Sequence, residues 1–238
     1  MPVNLAQARK ELNKLKDFKK AEFLKRFFKT GPGEYSEGDN FLGITVPANR
    51  AVAQKFFTLP LKEVFELLKG KYHEERLMAL FILVEKFEKS KSDSEKKLIV
   101  TKYLQLVPKY VNNWDLVDSS ASYIVGNYLL SRPRAILYTL ARSKNLWNKR
   151  VAIVSTQYFI RQNDFKDTIK ISDILMRDKH DLIHKATGWM LREMGKRSEK
   201  TLTQYLNKNA HKMPRTMLRY SIEKYSPAIR QKYLKQTK

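Results

Sequence analysis

Helical patterns that begin with a basic residue return along this chain at similar intervals. Arg76, Arg150, Lys185 and Arg215 each begin a run in which apolar residues recur every three or four positions. The last three lie 35 and 30 positions apart (150 to 185 and 185 to 215), a spacing typical of helical-hairpin repeats. We therefore predict an all-α fold in which degenerate helix pairs stack into an α-solenoid, with these basic residues lining its concave face. A non-repeating helical bundle is the alternative.

Glycine is scarce outside one segment, which favours the same fold class. Only eight glycines occur in 238 residues, and four of them lie between residues 31 and 43. A doubly wound sheet would need several glycine-rich turns. We predict one domain over residues 1–238, interrupted by a long connector loop at residues 30–47. This loop is acidic and lacks the Lys-Ser/Thr ending of a phosphate-binding loop, so we interpret it as an ordered connector, with a lid as the alternative.

Several polar residues stand where helix N-caps are expected. Ser131 comes two positions before Pro133 and Ser226 directly before Pro227, and each proline opens a helical run. Ser92 lies in a polar turn and would form a capping box with Glu95. Asn113 directly precedes a run that begins with tryptophan, and as a cap it would begin a helix there.

The charge of the chain indicates a polyanionic partner. Lys and Arg number 47 against 24 Asp and Glu, which gives a formal net charge of +23. A net charge of only ~2–8 suits the solubility of a small domain. A field of the size found here attracts nucleic acid and opposes self-association. We therefore predict DNA as the partner and a monomeric protein; an anionic membrane surface is the lesser alternative.

The absence of cysteine excludes disulfide bonds, thiol catalysis and cysteine-ligated metal centres. Residues 1–10 lack the apolar core of a signal peptide, and no stretch approaches the ~20 apolar residues that span a bilayer. We expect a cytoplasmic protein with no membrane partner. His180 and His184 are four positions apart, but no third metal ligand accompanies them, so we expect neither a metal nor a cofactor.

Two of the three tryptophans, one aspartate and one arginine form the candidate site. Trp114 and Asp118 are four positions apart, so a helix capped by Asn113 would place both on one side. In a stacked solenoid, the helix starts that carry Arg150 and Trp189 would lie near the same patch. Each residue alone has a structural explanation, because tryptophans usually pack in cores and an aspartate near a helix start offsets the helix dipole. Together, in a very basic chain, they indicate a protein that acts on a cationic lesion in DNA.

The sequence resembles the AlkD-like family of DNA alkylation repair proteins, which are alkylpurine DNA glycosylases. The resemblance extends from about Phe27 to about Tyr225. It is carried by four motifs that are weak singly and specific together: Phe41-Leu42-Gly43-Ile44 with Pro47 and Arg50, Trp114-Asp115-x-Val117-Asp118, Trp147-x-x-Arg150-x-Ala152-Ile153, and Lys185-Ala186-x-Gly188-Trp189-x-Leu191-Arg192-Glu193.

The resemblance implies a HEAT-like superhelix with a basic groove that holds duplex DNA. It implies a monofunctional, nucleoid-associated glycosylase that excises cationic N3- and N7-alkylated purines in base excision repair. At the matching positions, Asp118 would be the catalytic carboxylate beside the sugar, and Trp114 and Trp189 would flank the lesion nucleotide. Arg150 would clamp the DNA backbone, and Arg192 would contact another phosphate.

The family pattern also leads us to expect an aromatic site residue near Phe27 or Phe28, without assigning it to one position. Two other functions are compatible with the sequence. A non-catalytic binder of branched or damaged DNA would share the basic groove, and a protein-binding solenoid would share the helical repeats.

Overall fold

A computed structural model describes residues 3–235. Residues 1, 2 and 236–238, which belong to the predicted domain, lie outside the described part of the chain. Between residues 3 and 235 the regular secondary structure is helical, and the only strand-like pairing is an isolated bridge between Asn40 and Tyr72. The predicted all-α class is therefore confirmed. None of these described helices combines the length and the hydropathy that crossing a bilayer requires.

The chain divides into two compact units, residues 1–120 and 121–238. The first unit contains α1 (Leu5–Asn13), α2 (Phe18–Phe27), α3 (Val46–Lys55), α4 (Leu61–Leu68), α5 (His73–Lys89), α6 (Asp93–Tyr110) and α7 (Trp114–Asp118). Helix α5 is central to this unit: α3, α4, α6 and α7 all pack against it, and its residues 73–83 are all buried.

The second unit begins with a π-helical turn. Its elements are the turn Ser122–Gly126, α8 (Asn127–Leu129), α9 (Ala135–Ala141), α10 (Leu146–Arg161), α11 (Lys166–Leu175), α12 (Asp181–Arg197), α13 (Glu199–Asn209), a 3₁₀ turn Ala210–Lys212, α14 (Arg215–Ser221) and α15 (Pro227–Leu234). Helix α10 packs against the π-helical turn and α12, and α12 packs against α14. Helices α9, α11 and α13 pack beside them. Helix pairs thus stack in chain order, as expected for a solenoid.

Two glycines show that the repeat in the second unit is structural. A Cβ atom on Gly126 would lie 2.3 Å from the carbonyl oxygen of Ser155, and a Cβ atom on Gly188 would lie 2.5 Å from that of Met217. The two pairs have the same separation (126 to 155 and 188 to 217). Each glycine therefore lets its helix approach the backbone of the next helix in the stack, and the same close contact occurs twice.

The caps agree with the sequence at three of four positions. Ser92, Asn113 and Ser226 are N-caps whose side chains accept hydrogen bonds from backbone amides at the start of α6, α7 and α15. The prediction for Ser131 is wrong. It is exposed and lies outside the helix, because Arg134 occupies the N-cap position of α9.

The connector between α2 and α3 is ordered by its own acidic residues. The carboxylates of Glu34 and Glu37 accept hydrogen bonds from the amides of Gly31 and Gly33, at 2.8 and 2.9 Å. These acids therefore close the loop on itself. The connector ends at Thr45, since α3 begins at residue 46 rather than after residue 47.

Glu74 joins the end of the connector to α5. Its carboxylate accepts hydrogen bonds from three successive amides, those of Leu42 (2.8 Å), Gly43 (2.9 Å) and Ile44 (3.2 Å). Gly43 has φ of +84°, and a Cβ atom there would lie 2.1 Å from the carbonyl oxygen of Asp17. Only glycine therefore allows this segment to lie between the start of α2 and the start of α5.

A buried ionic network ties the connector to both α5 and α7. His73, which is 3% exposed, has Nδ1 3.1 Å from Asp39 of the connector and Nε2 2.8 Å from Asp115 of α7. Arg76 donates to the other oxygen of Asp39 at 2.6 Å. Arg76 was predicted to line a basic surface; that prediction is wrong, because it is buried and neutralises Asp39.

The two carboxylates keep His73 protonated. Burial alone would lower its pKa, but the charges and hydrogen bonds of Asp115 and Asp39 outweigh burial and raise the pKa of His73 to about 9. Burial likewise acts to raise the pKa of Asp39, and His73 and Arg76 reverse this and hold it below the usual range. The network thus contains alternating charges inside the protein.

We expect the stability of the protein to fall between about pH 6.5 and pH 9 in a way that depends on His73. The pKa of His73 is about 9 in the folded protein and near 6.5 in an unfolded chain. Its charged form therefore stabilises the fold fully below pH 6.5, and this contribution is lost as the pH rises through 9. Relative to His73→Gln, the wild type should lose roughly 2–4 kcal/mol of unfolding free energy over this range. Urea unfolding at each pH measures the difference.

Leu98→Gln is the matched control, because it alters an exposed residue of α6 and no titratable group. The difference in unfolding free energy between Leu98→Gln and the wild type should be the same at every pH. A constant difference in unfolding free energy between the wild type and His73→Gln would show that folding does not raise the pKa of His73.

Candidate functional site

Trp114 lies at the start of α7 within an aromatic cluster. Its ring is half-buried and stacks on Phe28, with centroids 5.4 Å apart, and it meets Phe27 edge-on at 6.1 Å. Phe28 in turn stacks on Phe41 at 5.1 Å and lies 5.0 Å from His73. A family aromatic residue was expected near Phe27 or Phe28, and the rings of both contact Trp114. The ring of Trp114 is therefore fixed by neighbours on α2 and the connector.

Asp118 ends the same helix, one turn after Trp114. Its side chain is half-buried. It lies close enough to Tyr103 to influence that group: burial raises the pKa of the Tyr103 phenol, and the negative charge of Asp118 raises it further. Tyr103 is held in place by a 2.9 Å hydrogen bond with Ser120. Asp118 is therefore partly exposed and lies near a neutral, buried phenol.

Asn113 and Asp115 fix α7 at its first turn. The side-chain oxygen of Asn113 accepts a 2.8 Å hydrogen bond from the amide of Trp114, and its side-chain nitrogen donates to Ser36 of the connector at 2.6 Å. Asp115 accepts from His73. A helix of five residues has little stability of its own, so these contacts determine where Trp114 and Asp118 are held.

Arg150 lies on α10 of the second unit and is only 4% exposed. One of its terminal nitrogens donates to the carbonyl oxygen of Leu182, at 2.7 Å, in the first turn of α12. Trp147, one turn earlier, is 5% exposed and belongs to the core. In this structure Arg150 fastens the start of α12 to α10. Its contact with a DNA backbone stays a prediction.

Trp189 and Arg192 are brought together on α12 by Glu193. The indole nitrogen of Trp189 donates to this carboxylate at 3.2 Å, Arg192 donates to it at 3.4 Å, and Lys196 donates at 2.8 Å. Arg192 also pairs with Glu223. Both Trp189 and Arg192 are half-buried. The guanidinium of Arg192 is therefore already oriented.

The structure thus groups the predicted residues within each unit. Trp114 and Asp118 share one short helix of the first unit, while Trp189 and Arg192 share one carboxylate of the second. The sequence did not identify the residues that hold the candidate site residues in place, which are His73, Asp39, Asp115 and Glu193. Asp115 and Glu193 lie within the quoted family motifs, which was the only signal for either residue. His73 pairs with Asp39 and Asp115, which lie 34 and 42 positions away in the sequence, so no local pattern indicates these contacts.

The two histidines with metal-like spacing are used separately. His180 accepts a hydrogen bond from the amide of Leu182 at 3.1 Å, and Nε2 of His184 lies 2.6 Å from the carbonyl oxygen of Asp178. Among residues 3–235, no group of three or more His, Asp or Glu side chains has an arrangement suited to a metal ion.

Comparison with known proteins identifies the family. A family model described as DNA alkylation repair enzyme matches residues 8–225. A solved structure described as a predicted DNA alkylation repair enzyme from Enterococcus faecalis superposes with a TM-score of 0.72. That pair shares 18% sequence identity, and the match covers 89% of this chain and 97% of the other. At this identity the likeness shows a common fold. No curated protein matches the chain significantly.

The family model covers most of the chain, and the helix stack has the same fold as the Enterococcus protein. This chain therefore belongs to the DNA alkylation repair enzyme family.

Proposed function

We propose that this protein is a monofunctional DNA glycosylase. It hydrolyses the N-glycosidic bond of cationic N3- and N7-alkylated purines in duplex DNA. Its family acts in DNA alkylation repair, and its net charge of +23 suits a polyanionic substrate. Both units belong to one monomeric DNA-binding protein, which needs no metal or cofactor for this reaction.

The arrangement of α7 carries this proposal. A tryptophan held in an aromatic cluster and a half-buried carboxylate lie one turn apart, and hence on the same side of the helix. A carboxylate beside an aromatic ring suits a substrate that is cationic and that passes positive charge to a sugar during the reaction.

The leaving group in this reaction needs little catalytic assistance from the enzyme. An N3- or N7-alkylpurine already carries a positive charge, so the electrons of the breaking bond neutralise it and no acid is required. Positive charge develops on the deoxyribose as the bond breaks. Asp118 stabilises this charge, or orients the water that attacks the anomeric carbon, or does both. A preorganised group of this kind is worth about 3–4 kcal/mol.

Trp114 and Trp189 provide selectivity for cationic bases. An aromatic face attracts a cation by ~0.5–2 kcal/mol, and a neutral base gains no such attraction. The aromatic cluster around Trp114 and the carboxylate that orients Trp189 hold both rings before the substrate arrives. Arg192, on the same helix as Trp189, binds the DNA backbone.

Replacing Asp118 by Asn should abolish most of the base release and leave DNA binding unchanged. The substitution keeps the size of the side chain and removes its charge, so release should fall at least ~100-fold, as expected when a preorganised electrostatic group is lost. The measurement is release of 7-methylguanine and 3-methyladenine from alkylated duplex DNA, with binding followed by gel shift.

Asp93→Asn is the matched control, since it neutralises an exposed carboxylate in the same unit. It should release bases at the wild-type rate. If the wild type binds duplex and branched DNA at low salt but releases no base, the protein is a DNA-structure binder rather than a glycosylase.

The Arg192→Ala variant should bind DNA with a weaker dependence on salt. Each phosphate that a cationic side chain neutralises adds about 0.9 to the slope of log affinity against log salt concentration. Loss of Arg192 should therefore lower the slope by about one, as measured by fluorescence anisotropy across a potassium chloride series.

Lys200→Ala is the comparison, because it removes an exposed charge from the neighbouring helix α13. Its slope should equal that of the wild type. Equal reductions for the two variants would show that Arg192 acts only through the overall charge.

A further inference from the structure

Helix α2 exposes an unusual amount of aromatic surface. Phe18, Phe23 and Phe27 are 76%, 64% and 53% exposed, and all three come from this ten-residue helix. Exposed single apolar residues are ordinary, but a cluster of aromatic rings on one element marks a binding surface.

Two of these rings continue the aromatic cluster of Trp114 to the outside. Phe23 stacks on Phe27, with centroids 6.2 Å apart and an interplanar angle of 19°. Phe27 meets Trp114 at 6.1 Å. The row Phe23–Phe27–Trp114 therefore runs from an exposed ring to a half-buried one at the candidate site.

The surroundings of this row are strongly basic. Residues 14–29 contain seven Lys and Arg against two Asp and Glu. One of the two acids, Asp17, caps α2, and the other, Glu22, pairs with Lys25. An exposed ring pair on a basic helix is the combination with which proteins bind unpaired nucleotides, since the cations follow the phosphates and each ring stacks on a base.

A lipid surface fits this helix less well. An interfacial helix needs a broad apolar face to bury in the membrane. The apolar face of α2, formed by Ala21 and Leu24, is already packed in the protein against Phe28 and Phe41. Of the three exposed rings, Phe23 and Phe27 stack on each other, whereas Phe18 lies against Lys16. The stacked pair has the size of a base and not of a lipid-binding face.

We propose that Phe23, backed by Phe27, is a stacking platform for an unpaired DNA base outside the lesion site. This rests on the proposed glycosylase function, which creates such a base: release of the alkylated purine leaves the opposite nucleotide without a partner. Bases in an intact duplex have both faces covered by their neighbours, so the platform discriminates unpaired from paired DNA.

The test uses a duplex in which 2-aminopurine stands opposite an abasic-site analogue, and a second duplex in which it is paired. The wild type should quench 2-aminopurine fluorescence in the first duplex. The Phe23→Leu variant should lose this quenching and bind the first duplex roughly tenfold more weakly, because the loss of base stacking on one aromatic ring has an effect of about this size. Its affinity for the paired duplex should be unchanged.

Phe18→Leu is the matched control on the same helix. The ammonium group of Lys16 lies 5.5 Å from the centroid of the Phe18 ring, and the Phe18 side chain is more exposed than that of Phe23. The Phe18→Leu variant should behave as the wild type with both duplexes.

Three results would overturn the proposal. If the wild type and Phe23→Leu bind the first duplex equally well, the stacking platform is refuted and the proposed glycosylase function is unaffected. If the wild type binds neither duplex, the proposed glycosylase function is contradicted as well. If Phe23→Leu keeps both DNA affinities and loses binding to phosphatidylserine-containing vesicles, the ring pair binds a membrane.

Discussion

A positively charged imidazole buried between two carboxylates determines where α7 is held. An ionised group inside a protein costs several kcal/mol unless partners compensate it, and here each ring nitrogen of His73 has its own carboxylate. Asp39 comes from the connector, His73 from α5 and Asp115 from α7. One charge therefore joins three segments that are distant in the sequence, and removing either carboxylate would leave an uncompensated charge inside the protein.

The same imidazole also organises the aromatic side of the candidate site. Its ring stacks on Phe41 with centroids 4.7 Å apart, and Phe28 lies between His73 and Trp114. A cation against aromatic faces is favourable when water is excluded, so the charge and the rings stabilise one another. An aromatic ring that is rigid before binding loses little entropy when it meets a substrate. The stability of the fold and the readiness of the proposed site thus depend on one arrangement.

Structural features that depend on neighbouring residues could be predicted from the sequence. Features that depend on contacts between distant residues could not. Helical periodicity and caps such as Asn113 and Ser226 involve neighbouring residues, so the fold class and the start of α7 could be predicted. Ser131 was misassigned because the spacing of the turn, and not the preference of serine, decides which residue caps α9. The burial of Arg76 depends on Asp39, 37 positions away. The exposed rings of α2 also escaped prediction, because phenylalanine at helical spacing normally indicates a core.

The protonation state of His73 at neutral pH tests the central claim most directly. Nitrogen-15 NMR of the imidazole distinguishes a doubly protonated ring from a neutral tautomer, and His73→Gln identifies the signal. We predict that both ring nitrogens carry a proton at pH 7, since each donates to a carboxylate. A neutral ring at this pH would contradict the account, because α7 would then lack the charged link that holds Trp114 and Asp118 in place.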